Sequence, residues 1–170
     1  GHHGHNCAEG DPHIWLDPVR MVAVVEQMRD VFIELEPSAA DLFVRNADGL
    51  IAELRALDQD LRIQLAPYAG RTFFINHPAL GHFARRYGLV QRSIEQSGTA
   101  PSAGRIADLI VLAREAAVGA IFTQPEFGRT TATILGDALN LEVVELDVLP
   151  TDYIAGMTAI ANRLEASFAR

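Results

Sequence analysis

The chain has 170 residues, 49% of them apolar, which is enough for the buried core of one full domain and argues against wholesale disorder. Acidic residues number 22 against 14 Lys and Arg, a formal net charge of -8 that argues against a phosphate-backbone partner and gives no sign of a basic membrane-binding face. The single cysteine, Cys7, rules out an internal disulfide framework and a cysteine-rich zinc ribbon, and no apolar run approaches the roughly 20 residues of a bilayer-spanning helix.

The opening "GHHGHNCAEG" carries His2, His3 and His5 and leads straight into "DPHIWLDP", residues 11–18. A short His tract of this kind is either an added expression sequence or a native metal-collecting loop. Asp17 followed by Pro18 reads as an N-cap and a first-turn proline. Val22, Val25, Met28, Val31, Phe32 and Leu35 then recur at helical spacing. Pro37 breaks this helix, and Ser38 is placed to cap a second one running to about Leu65. At about 1.5 Å per residue it spans on the order of 40 Å, the length of a spine between lobes.

From Gly70 the texture changes. "TFFINH", "LVQRSI", "VGAIFTQ" and "LEVVELD" read as strands; "ALGHFARRYG", "RIADLIVLAREAA", "RTTATILGDALN" and the closing "TDYIAGMTAIANRLEASFAR" read as helices. Four rounds of strand then helix predict an α/β fold: a four-stranded parallel sheet with helices on both faces, preceded by the long linker helix. The expected organisation is a His-rich loop over 1–10, a loop, helix and spine over 11–67, and an α/β lobe over 68–170.

Ligands of open parallel sheets bind beyond the carboxyl ends of the strands. The polar residues there are His77, Glu95, Gln124 with Glu126, and Asp147. His13 can fold back onto the same rim. Two imidazoles and a carboxylate suit zinc and other late divalent ions better than calcium or magnesium. Such a site binds through neutral imidazole, so its affinity falls as pH drops through the histidine range. On spacing alone, a histidine at a strand end is more often a hydrogen-bonded structural residue, and Asp147 more often a loop cap. Asp11 precedes a proline and suits a turn start. His82 follows His77 by five residues, off its helical face, and reads as lining or packing. The chain contains no G-x-S-x-G elbow, phosphate loop or H-E-x-x-H. Cys7, in the His-rich head, is a poor candidate for a catalytic thiol.

Taken in order, "DPHIWLDP", "FINHPALGHFARRYGL", "PSAGRIADLIVLARE", "IFTQPEF" and "VVELDVLPTDYI" resemble the zinc/manganese (ZnuA/TroA-type, cluster A-I) solute-binding proteins of bacterial ABC importers. The resemblance runs from Asp11 to the C-terminus. It implies two α/β lobes joined by a long rigid helix, with one metal ion in the cleft between them. By motif it implies His13, His77 and Asp147 as metal ligands. Manganese-selective members tend to carry glutamate where His77 stands, so the resemblance favours Zn2+, with Mn2+ or Fe2+ as other cargo. It also makes His2, His3 and His5 part of a zinc-collecting loop, and His82, Glu95, Gln124 and Glu126 cleft-lining residues.

The same resemblance implies non-catalytic zinc binding and delivery to an ABC permease, outside the cytoplasm and membrane-associated if lipidated. It implies, too, that the chain is the C-terminal portion of a longer protein. The absent N-terminal lobe would leave helix 18–35 exposed and open to self-association. Two other readings share the scaffold: a metal-dependent hydrolase, for which Glu126 is the one nominee as general base, and an adhesin or interaction domain.

Overall fold

Asp17 begins the first helix with its own side chain: one carboxylate oxygen accepts the backbone N–H groups of Val19 (3.0 Å) and Arg20 (3.4 Å). In the computed structural model, which describes residues 10–95 and 101–169, that helix is α1, Pro18–Leu35. The second, α2, is Ala40–Leu65, 26 residues or about 39 Å. The junction differs from the sequence expectation. Pro37–Ala39 form a 3-10 turn that runs into α2, so Ser38 lies inside the turn and its hydroxyl donates to the Glu36 carboxylate. Ala39 occupies the capping position without a side-chain bond.

The two helices fold into a hairpin whose seam is Val22 and Val25 against Ala47, Ile51 and Leu54. Toward the hairpin tip the Phe32 and Phe43 rings lie 5.5 Å apart. The other apolar face of α1 is bare: Met28, Val31 and Leu35 are 49%, 51% and 74% exposed.

Four strands follow: β1 Thr72–Ile75, β2 Val90–Ser93, β3 Ala120–Thr123 and β4 Glu142–Glu145. The connecting helices are α3 Gly81–Arg86, α4 Ala103–Glu115 and α5 Thr130–Leu139, with α6 Tyr153–Phe168 closing the chain. The strands pair in the order β2-β1-β3-β4, all parallel, as the alternation of strand and helix signals predicts. Alternate strand residues feed opposite faces. Phe73, Ile75 and Phe122 point into one core with α2, α3 and α6. Phe74 and Ile121 point into a second core with α4 and α5. Each of these five side chains is 0% exposed, and burying each contributes about 1.5–3 kcal/mol relative to leaving it in water.

An ion network joins the helical hairpin to the sheet layer. The Asp58 carboxylate on α2 accepts from Arg62 Nε (3.0 Å), Arg86 Nε (2.5 Å), Arg86 Nη2 (2.8 Å) and Tyr87 Oη (3.2 Å). Arg86 Nε also lies 3.3 Å from Asp17 Oδ1. Burial pushes the Asp58 carboxyl up, but the hydrogen bonds from Arg86 and Arg62 outweigh it and hold the group below its ordinary range. No helix among the described residues is long and apolar enough to cross a membrane.

The chain passes from β1 to β2 on one side and then crosses to β3 on the other. The strand order therefore reverses between β1 and β3. That is the crevice where open parallel sheets bind ligands.

Candidate metal site

His77 stands two residues beyond the end of β1, on the rim of that crevice. Gln124, just past β3 and 0% exposed, grips its backbone from both directions. The amide Nε2 donates to the His77 carbonyl at 2.7 Å, and Oε1 accepts the His77 N–H at 3.3 Å. Asn76 is fixed likewise: its backbone N–H donates to the Phe122 carbonyl (2.9 Å) and its side-chain amide to Glu95 (2.9 Å). The imidazole of His77 stacks on Phe127 with ring centroids 4.4 Å apart and planes 13° from parallel. Its Nδ1 is buried and makes no hydrogen bond among the described residues. Burial lowers the His77 pKa from the usual 6.5 and the nearby His13 lowers it further, against the opposing pull of Glu95 and Asp11. The neutral, metal-competent ring is favoured.

His13 reaches the same place from the loop before α1. Its ring meets His77 edge-on, with centroids 5.3 Å apart and planes at 75°. The other flank of the ring lies against Trp15, again at 5.3 Å. Asp11 Oδ1 accepts both the His13 backbone N–H (3.1 Å) and Nδ1 (2.7 Å). A carboxylate only accepts, so Nδ1 carries the ring proton and Nε2 keeps its lone pair. His82, on α3 and buried, donates from Nε2 to the Asp11 carbonyl at 3.1 Å.

Asp147 follows β4 at the same end of the sheet, exposed between buried Leu146 and Val148. Its Oδ1 accepts the Leu149 N–H at 2.9 Å. The Trp15 indole donates to the Val148 carbonyl (2.9 Å), and Tyr153 Oη donates to the Trp15 carbonyl (2.7 Å). Asp147 is thus one residue from a point tied to the His13 loop. Among the described residues, no group of three or more His, Cys, Asp or Glu closes to metal-holding distance. His13 and His77 are together; Asp147 is outside their contact.

Of the other residues singled out in the sequence, Glu95 is half-buried and bonded to Asn76, and Gln124 is the backbone clamp. Glu126 is exposed in the turn closed by the Phe127 N–H on the Gln124 carbonyl (3.2 Å). His2, His3, His5 and Cys7 lie outside the described residues. Sequence reasoning missed Asp11, which it assigned to a turn start, and Phe127. For Asp11 the signal was present: a carboxylate two residues before a histidine reaches that residue's own N–H and ring.

A parallel α/β layer with paired imidazoles at its switch point has the layout in which open parallel sheets bind ligands, and comparison with known proteins gives its family. A family model described as zinc-uptake complex component A, periplasmic, matches residues 1–167, and the chain belongs to that family. The zinc-binding protein AdcA of Streptococcus pyogenes serotype M6 is 34% identical over 148 residues, covering 86% of this chain and 28% of that protein. A crystal structure of ZnuA superposes with a TM-score of 0.91 at 32% identity, covering 93% of this chain and 62% of that one. The Zn(II)-bound ZnuA-like domain of Streptococcus pneumoniae AdcA superposes at 0.79 with 26% identity, covering 95% and 65%. The chain therefore spans under a third of that curated relative and under two thirds of the solved ZnuA chain. The α/β fold with its four parallel strands and long preceding helix is the fold these structures share.

Proposed function

We propose that this chain is the zinc-holding portion of an extracytoplasmic solute-binding protein that delivers divalent metal to an ABC-type permease. Binding and release are its work, and no bond chemistry is involved. The observation that carries the reading is the pair His13 and His77, rings 5.3 Å apart, with a buried His77 Nδ1 that no group among the described residues satisfies. Zinc takes imidazole nitrogen at about 2.0–2.1 Å in a tetrahedral set, and two converging neutral imidazoles supply half of it.

Asp147 is the third ligand in this proposal, supplied by the loop that Trp15 holds through Val148. The remaining position falls to water, a histidine of residues 1–10, or a group from another part of the longer protein. Residues 11–67 form the spine and motif loop, and 68–170 the binding lobe. Mn2+ and Fe2+ stand as alternative cargo, because the general affinity order that favours zinc over manganese does not identify the ion carried in the cell. The bare face of α1, with Leu35 74% exposed, supports self-association of this portion in isolation.

Calorimetric titration with zinc, then manganese, tests the reading on the metal-stripped chain, a His13→Ala/His77→Ala double variant and a form lacking residues 1–10. One-site zinc binding lost in the double variant and kept without the head is the expected result. Binding that disappears only with the head would assign the metal to the His tract and overturn the cleft site.

A further inference from the structure

We propose that Asp11 is the positioning residue of the metal site: it locks the ring proton of His13 on Nδ1, thereby presenting Nε2 to the metal, and α3 holds it there through Gly81 and His82. The proposal deepens the zinc reading of His13 and rests on it.

A neutral imidazole carries its proton on either nitrogen, and the hydrogen bond made by one nitrogen decides which lone pair the other offers. His13 has that bond, to Asp11 Oδ1 at 2.7 Å, and the same oxygen takes the His13 backbone N–H at 3.1 Å. Ring and main chain of His13 are therefore fixed relative to one carboxylate, which leaves the ring little freedom to rotate. An acceptor on the far nitrogen also raises the basicity of the ligating one, and loss of such partners commonly lowers metal affinity about 10–100-fold.

Asp11 is itself wedged in place. Its side chain is 6% exposed. His82, buried on α3, donates to its carbonyl at 3.1 Å and stands 3.8 Å from Oδ2. Gly81, the first residue of α3, leaves the space that Oδ2 fills: a Cβ there would lie 2.6 Å from that oxygen. Alanine at 81 would push the carboxylate, while the backbone at this position does not need glycine's left-handed freedom. Position 81 therefore acts on the site through Asp11, without touching a ligand.

The test uses the whole chain with Asp11→Ala, Asp11→Asn and Gly81→Ala. The His13 tautomer is read in the metal-free protein by two-bond proton–nitrogen NMR correlation, and zinc affinity is read by titration against a chelating indicator. Expected are a His13 ring protonated at Nδ1 in the unaltered chain and a shift toward the Nε2-protonated form in Asp11→Ala. Zinc affinity should fall about 10–100-fold in the same variant. Gly81→Ala should move both readouts in the same direction, and Asp11→Asn, which keeps an acceptor oxygen, should hold the tautomer with a smaller affinity loss.

An unchanged His13 tautomer in both Asp11→Ala and Gly81→Ala overturns the proposal. If the unaltered chain binds no zinc while the tautomer still follows Asp11, the metal reading fails and the control of His13 by Asp11 stands. The two failures are thus separable.

Discussion

The indole N–H of Trp15 donates to the carbonyl of Val148 at 2.9 Å, tying the loop of His13 to the loop of Asp147 across 133 residues of sequence. Trp15→Phe keeps most of the apolar ring and removes the bond. A hydrogen bond of this kind contributes about 0.5–1.5 kcal/mol, so denaturant unfolding should show a loss of that order. Zinc affinity should fall disproportionately, since two loops rather than one lose their register. Equal affinity for Trp15→Phe and the unaltered chain would disconnect the tie from metal binding.

Gln124 supports His77 through the main chain alone. Gln124→Leu preserves approximate bulk and leaves the His77 N–H without its partner, while the His77 carbonyl keeps the Ala79 N–H at 2.8 Å. An orphaned donor of this kind costs about 1–3 kcal/mol. A drop in unfolding free energy of that order is expected in urea denaturation. A variant as stable as the parent would mean that water satisfies the His77 N–H.

Asp58 makes stability depend on acid. Its carboxyl is held below the ordinary value by Arg86 and Arg62 against the opposing effect of burial. The folded protein therefore binds the Asp58 proton less readily than the unfolded chain. The stabilisation is complete above the unfolded value, about 3.9, and drains away as pH falls toward the lower folded one. Melting temperatures of the parent and Asp58→Asn should differ at pH 7 and converge below about pH 3.9. A gap that persists unchanged to pH 2.5 would assign the effect to packing.

The exposed stripe Met28, Val31 and Leu35 should drive concentration-dependent association of the isolated chain. Val31→Glu with Leu35→Lys should shift sedimentation toward the monomer and leave zinc stoichiometry unchanged. A parent that stays monomeric at high concentration would remove the idea.

Much of the architecture was legible because local signals agreed with each other. Phe73, Phe74, Ile121 and Phe122 sit in short apolar runs bounded by polar residues, and Asp17–Pro18 starts a helix in sequence and structure alike. Ser38 misled because a capping residue and a turn residue share one chemistry, and Pro37 decided between them by starting a 3-10 turn one residue early. Within the site, His13 and His77 were readable as motif histidines. Their meeting depends on packing 64 residues apart, which no local pattern encodes. Asp11 and Gly81 belong together only because a Cβ at position 81 would lie 2.6 Å from Asp11 Oδ2, a relation invisible until α3 is docked.

Asp58 takes bonds from Arg62, Arg86 and Tyr87, and Arg86 also reaches Asp17, four residues from His13. This makes α2 a beam clamped near its sheet-side end, with the hairpin tip near Leu35 as its free arm. A push at the tip is delivered to the clamp as a turning moment, and the clamp sits beside the histidine loop. Under the proposed zinc reading, whatever grips that arm would bear through the clamp on the loop that carries His13.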